Sequence, residues 1–170
     1  MNRQNTALAN TIFFVIAPGL VAWLIPWLIT DWSAPDTSPY FIGLLVGLGG
    51  LLIGGGLLLL IDSFMRFVSE GNGTPMPWMP TDKVIARGAY RFLRNPMYVG
   101  IIVIVLGQAI LFANGWLVAY AAFVWLLFHL LVTLIEEPGL GRSFGAAYAA
   151  YIAAVPRWFP RVPPPANSIG

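Results

Sequence analysis

The sequence predicts an all-α polytopic membrane protein with four transmembrane helices, both termini cytoplasmic, and a C-terminal interfacial helix. Three observations carry that expectation. Apolar residues make up 58% of the 170 and charged residues 9%, where soluble domains carry roughly a quarter charged. Several charge-free intervals are long enough for a span of about 20 residues. The basic residues all fall on one side of the topology those intervals define.

A charge at the bilayer centre costs on the order of 3 kcal/mol, so the charge-free intervals mark where spans can sit. The first runs about Ala7 to Ile29. Arg3 ahead of an apolar run resembles a secretory signal, but the uncharged stretch from Gln4 to Thr30 is too long for a signal core and is read as a retained span. The second lies between Asp36 and Asp62, about Tyr40 to Ile61. The third interval, Asn95 to Ile135, holds two helices if Ala113, Asn114 and Gly115 form a turn; these are placed at about Pro96–Phe112 and Trp116–Ile135. Arg3, Arg66, Lys83, Arg87, Arg91, Arg94, Arg142, Arg157 and Arg161 then share one side, which the positive-inside rule makes cytoplasmic.

The chain divides into a two-span hairpin over 1–68, a second region over 69–162 with two spans and the interfacial helix, and a disordered tail over 163–170. Gly43, Gly47, Gly50 and Gly54 form one stripe on span two. It suits either packing within the chain or homodimerisation, so a monomer and a homodimer both stand. Residues 69–94 are polar and begin too rich in Gly and Pro for a helix; Gly71 and Gly73 follow a membrane helix rather than a strand, which excludes a Rossmann phosphate turn. Absence of cysteine excludes thiolate chemistry and disulfides, a single histidine argues against a metal site, and a net charge of +2 gives no reason to expect nucleic acid.

Four places carry chemistry. Asn95 before Pro96 opens span three as N-cap and first helical residue, aiming free N–H groups at the cytoplasmic headgroups; Arg91 and Arg94 just before it serve as anchors or as part of an anion site. Glu136 and Glu137 close span four before Pro138. There they repel each other and meet the negative end of the helix dipole, so they are functional candidates or salt-bridged interfacial carboxylates. His129 and Thr133 lie near the same face as the glutamates. His129, roughly 10 Å up the axis, either bonds a neighbouring helix or acts as a proton acceptor or orienting group, and Gln108 invites the same two readings. Phe144, Tyr148, Tyr151, Ile152 and Val155 recur at helical spacing as an interfacial helix leading to Arg157, which suits an anion, a carboxylate such as Glu137, or an anchor.

The strings GAYRFLRNPMYVG, EEPGLGRSFGAAYAAY and VPRWFP, in that order, resemble the isoprenylcysteine carboxyl methyltransferases, which belong with the phospholipid methyltransferases. The resemblance spans roughly Gly73 to Pro160. It implies a membrane enzyme that uses S-adenosylmethionine to methylate a lipid or lipophilic acceptor entering from the bilayer. It also implies cofactor contacts from the backbone of Asp82, Lys83, Val84 and Ile85, and from Tyr90, Arg94, Asn95, Pro96, Met97, Tyr98, Gly100, Glu136 and Glu137, with one glutamate on the cofactor's ammonium. Glu136, Glu137, His129 and Arg157 are the candidate catalytic residues. Asn95 stands where the family usually has histidine, and Val132 where some members carry an acceptor-associated arginine. Related membrane sterol reductases make a nicotinamide-dependent reductase the alternative enzyme class, and a non-enzymatic membrane protein the third. The compact size and the lack of a eukaryotic targeting segment point to a bacterial or archaeal inner membrane.

Overall fold

The computed structural model describes residues 16–70 and 87–161. Every regular element among them is helical. Helix α1 covers Ile16–Thr30, α2 Pro39–Glu70, α3 Pro96–Leu111, α4 Gly115–Phe144 and α5 Ala146–Ala154, with a 3-10 turn at Gly88–Arg91. Pro39–Arg66 of α2 and all of α4 are long and apolar enough to cross a membrane, while α1 as described and α3 are shorter apolar helices. Large side chains such as Leu51, Leu58 and Leu134 stand 75%, 71% and 69% exposed. Apolar area left open on this scale is at home in lipid.

The predicted turn at 113–115 is present. Ala113 takes φ 47°, and Asn114 Oδ1 accepts the backbone N–H of Trp116 at 2.9 Å, starting α4. Span two continues past Ile61 to Glu70, and the residues proposed for span one ahead of Ile16 lie outside the described residues.

Span four departs from expectation at its end. The glutamates do not close the helix: α4 runs on through Pro138 to Phe144. A proline inside a helix has no N–H and its ring crowds the carbonyl four residues back. The chain meets this with a wide turn over Val132–Glu136, where the Glu137 N–H bonds the Val132 carbonyl, five residues back. Glu136 and Glu137 therefore do not face a negative helix end, and the dipole argument for their strain falls away. The same device occurs in α1. Leu20–Leu24 is a wide turn, Ile25 N–H bonds Leu20 O, and Pro26 follows.

The described residues form two compact units, one drawn from Met1–Leu57 and Gly100–Leu126, the other from Leu58–Val99 and Leu127–Gly170. In the first, Pro26 takes the nitrogen that Ala22 O would meet in an α turn and Val21 O in a wide one. Gln108 Nε2 donates to Ala22 O at 2.7 Å and Tyr120 Oη to Val21 O at 2.9 Å. Gln108 is thus a helix-bonding residue. Close packing in this unit uses other glycines than the predicted stripe. A Cβ on Gly49 would lie 2.7 Å from Gly107 O, and one on Gly56 2.8 Å from Gly100 O, whereas Gly43, Gly47, Gly50 and Gly54 would meet nothing within 4 Å. Without side chains at 49 and 56, the two backbones approach directly.

In the second unit Tyr148, Tyr151 and Val155 are buried, with Leu140 and Phe144 packed against them. The face expected at the lipid interface is turned into the protein instead, with only Ile152 of that set 40% exposed. Gly145, at φ 51°, separates α4 from α5.

Candidate functional site in the second unit

The site residues start from two local features. The Gly88–Arg91 turn buries Tyr90, which is 8% exposed, and Pro96 opens α3 so that Tyr98 lies in its first turn. The wide turn before Pro138 then sets the direction of the two carboxylates on α4.

Glu137 is fully engaged. Its Oε1 accepts Arg94 Nη1 and Arg157 Nε, each at 2.8 Å, and its Oε2 accepts Arg157 Nη2 at 2.7 Å. The Arg157 contact is two-pronged, the geometry in which guanidinium and carboxylate match best. Those bonds hold the Arg157 guanidinium above its ordinary value. Glu136 has a different neighbour: the Tyr98 hydroxyl donates to its Oε1, and the Tyr98 ring stacks on Phe128 with centroids 4.4 Å apart.

The segment after α5 is tied along the chain that leads into α3. Arg94 N donates to Pro156 O at 2.9 Å, Asn95 Nδ2 to Arg157 O at 3.2 Å, and Arg161 N to Phe92 O at 3.0 Å. Tyr151 Oη donates to Tyr90 O at 2.8 Å. Asn95 stands at the N-cap position as expected, its carbonyl accepting the Val99 N–H at 3.1 Å, but its side chain is spent on the C-terminal segment and, among the described residues, caps no amide of α3. Burial pushes the Tyr90 and Tyr151 phenols above their ordinary value.

Thr133 turns its hydroxyl back on the His129 carbonyl at 2.6 Å. His129 Nδ1 accepts the Trp158 indole N–H at 3.1 Å. An indole nitrogen only donates, so in the neutral imidazole the proton sits on Nε2.

The structure thus brings together Tyr90, Arg94, Asn95, Tyr98, Glu136, Glu137 and Arg157, with His129 joined through Trp158. Met97 is half-buried in the first turn of α3 and Pro96 is buried. Gly100 belongs to the first unit, where it meets Gly56. Asp82, Lys83, Val84 and Ile85 lie outside the described residues. Sequence reasoning passed over Phe128 and Trp158 as partners. Phe128 sits in an unbroken apolar run, and only the pairing across helices singles it out.

A family model for phospholipid methyltransferases matches residues 44–147 of the 170, which takes in Tyr90, the start of α3 and both glutamates. Comparison with curated proteins finds no match. With more than half its length matched, including the turn, the tyrosines and the paired carboxylates just described, the chain belongs to the phospholipid methyltransferase family.

Proposed function

We propose that this protein transfers a methyl group from S-adenosylmethionine to a lipid or lipophilic acceptor at the cytoplasmic face of a bacterial or archaeal plasma membrane. In this reading four spans cross the bilayer and both termini are cytoplasmic. Membership of a methyltransferase family makes the nicotinamide reductase the weaker alternative. The observation that carries the proposal is the unequal pairing of the two glutamates. Glu137 is neutralised by Arg94 and Arg157, while Glu136 has a neutral phenol as its partner. Glu136 is therefore the carboxylate left to meet a cation, and it supports a site for the cofactor's ammonium.

The residues present fit that cofactor. Tyr90 is nine-tenths buried in the turn that leads to α3. Tyr98 presents an aromatic ring beside Glu136, a combination that attracts a cation by about 1 kcal/mol. When bound, the cofactor supplies a methyl group already activated on a sulfonium. The protein's tasks are to orient the acceptor and to exclude water. Glu137, locked by two arginines, holds the segment after α5 against the start of α3. His129, fixed by the Trp158 indole N–H at its Nδ1, is the candidate group for orienting the acceptor.

The test is methyl transfer from radiolabelled S-adenosylmethionine to a total membrane lipid extract, using the full-length protein in nanodiscs, with identification of the labelled product. Labelled lipid is the expected result, and Glu136→Gln should weaken S-adenosylhomocysteine binding at least about tenfold. Binding of NADPH without binding of S-adenosylhomocysteine overturns the proposal.

A further inference from the structure

The second unit contains an ion pair that the site above does not use. Asp62 and Arg66 lie one turn apart near the end of α2, with Arg66 Nε donating to Asp62 Oδ1 at 3.0 Å and Oδ2 at 3.1 Å. Asp62 Oδ2 also accepts the backbone N–H of Ala89 at 3.2 Å, reaching a residue 27 positions further on. Ala89 is inside the turn that carries Tyr90. One carboxylate thus fastens α2 to that turn.

The turn is built to receive this contact. Gly88 has φ 56°, which disfavours any other residue. The Arg66 guanidinium lies directly on it: a Cβ at this position would sit 1.7 Å from Nε and 2.2 Å from Cζ. The positive φ favours glycine here, and the space a side chain would take is occupied by Arg66, which Asp62 helps to hold. On the other side, Tyr151 Oη holds the carbonyl of Tyr90. The turn is pinned from α2 through Asp62 and from α5 through Tyr151. Tyr90 stands between the two pins.

We propose that Asp62 and Arg66 are positioning residues: they hold the Gly88–Arg91 turn, and through it Tyr90, in the place where it meets the methyl donor. The donor half of this statement rests on the function proposed above. The anchor half rests on the contacts alone. A surface ion pair by itself contributes little. This one is set apart by its third contact, to a backbone amide distant in sequence.

The chain has no cysteine, so a nitroxide on Arg91→Cys reports the motion of the turn without further engineering. The full-length protein in nanodiscs is compared with Asp62→Ala, Asp62→Asn and Gly88→Ala. Asp62→Ala should narrow the spectral lines and raise the KM for S-adenosylmethionine at least about tenfold, with kcat at saturating donor changed less than about threefold. Asp62→Asn keeps an oxygen for the Ala89 amide and should restore most of the affinity, which a general loss of stability would not permit. Gly88→Ala perturbs the same turn from the opposite side and should reproduce the KM effect, so the question stays decidable if Asp62→Ala does not fold. Wild-type line shape in Asp62→Ala overturns the anchor, and a narrowed line with unchanged KM overturns the positioning of Tyr90 for the donor. If the unaltered protein binds no S-adenosylhomocysteine, the methyl-donor reading fails, and the line shape still decides the anchor.

Discussion

Glu136 and Glu137 are neighbours in the chain and face different partners. Glu137 accepts three bonds from two guanidiniums, while Glu136 accepts from a phenol. Glu137→Gln leaves Arg94 and Arg157 with an amide oxygen in place of a charge. Arg94 is 13% exposed and Arg157 29%, so desolvation is partial and the expected loss is roughly 2–3 kcal/mol, read as a lower melting temperature. Glu136→Gln should barely move the melting temperature while weakening ligand binding. Equal effects of the two substitutions would sink the division of roles. The buried phenols make a separate prediction about alkaline pH. Tyr90 and Tyr151 are both raised above the ordinary 10.0 in the folded protein. A group raised on folding contributes stability that is complete below its unfolded value and lost as pH rises towards the folded one. Stability should therefore be flat up to about pH 10 and then fall by about 1.4 kcal/mol per pH unit for each phenol. Tyr90→Phe should make that fall shallower in melting curves taken across the range.

At the scale of the element, the two prolines decide more than the hydrophobic pattern does. Pro26 and Pro138 each follow a wide turn, and each lies inside a helix that composition alone would end or leave regular. In α1 the consequence is structural: Gln108 and Tyr120 supply donors to the carbonyls that the proline leaves unmet. In α4 the consequence falls on the site, because the wide turn rotates everything after Val132 relative to His129. Pro138→Ala returns an N–H to the ladder and lets α4 relax to a regular helix, swinging the glutamates by about 100°, one residue's worth of rotation. The protein should stay folded, with its melting temperature held or raised, and lose S-adenosylhomocysteine binding. Retained binding, measured by calorimetry, would show that the wide turn does not direct the carboxylates.

At the scale of the whole molecule, charge placement is the governing observation. Among the described residues, Arg66, Arg87, Arg91, Arg94, Arg142, Arg157 and Arg161 all belong to the second unit, and the first holds no Lys or Arg. The proposed four-span topology turns that asymmetry into a direction in the membrane. In intact spheroplasts, thiol labelling of Ser33→Cys from outside should succeed and labelling of Asn2→Cys should fail until the membrane is opened. External labelling of both positions would rule out cytoplasmic termini.

Helix-forming segments, the turn at Ala113–Gly115 and the grouping of basic residues were legible in the sequence, because lipid penalises charge and unpaired backbone wherever they occur, and that penalty acts residue by residue. The motif residues were legible as well: Tyr90, Arg94, Tyr98, Glu136, Glu137 and Arg157 do come together. What the linear pattern could not decide was which residue meets which. Glycine spacing nominated Gly43, Gly47, Gly50 and Gly54, and the close approach is made at Gly49 and Gly56. Phe144, Tyr148, Tyr151 and Val155 looked like a lipid-facing stripe and form an internal cluster. A stripe of small or apolar residues is equally suited to lipid and to protein, so only the packed tertiary structure decides between them. The unequal pairing of the two glutamates is of the same kind, since it depends on a wide helical turn and on two arginines more than 60 residues apart in sequence.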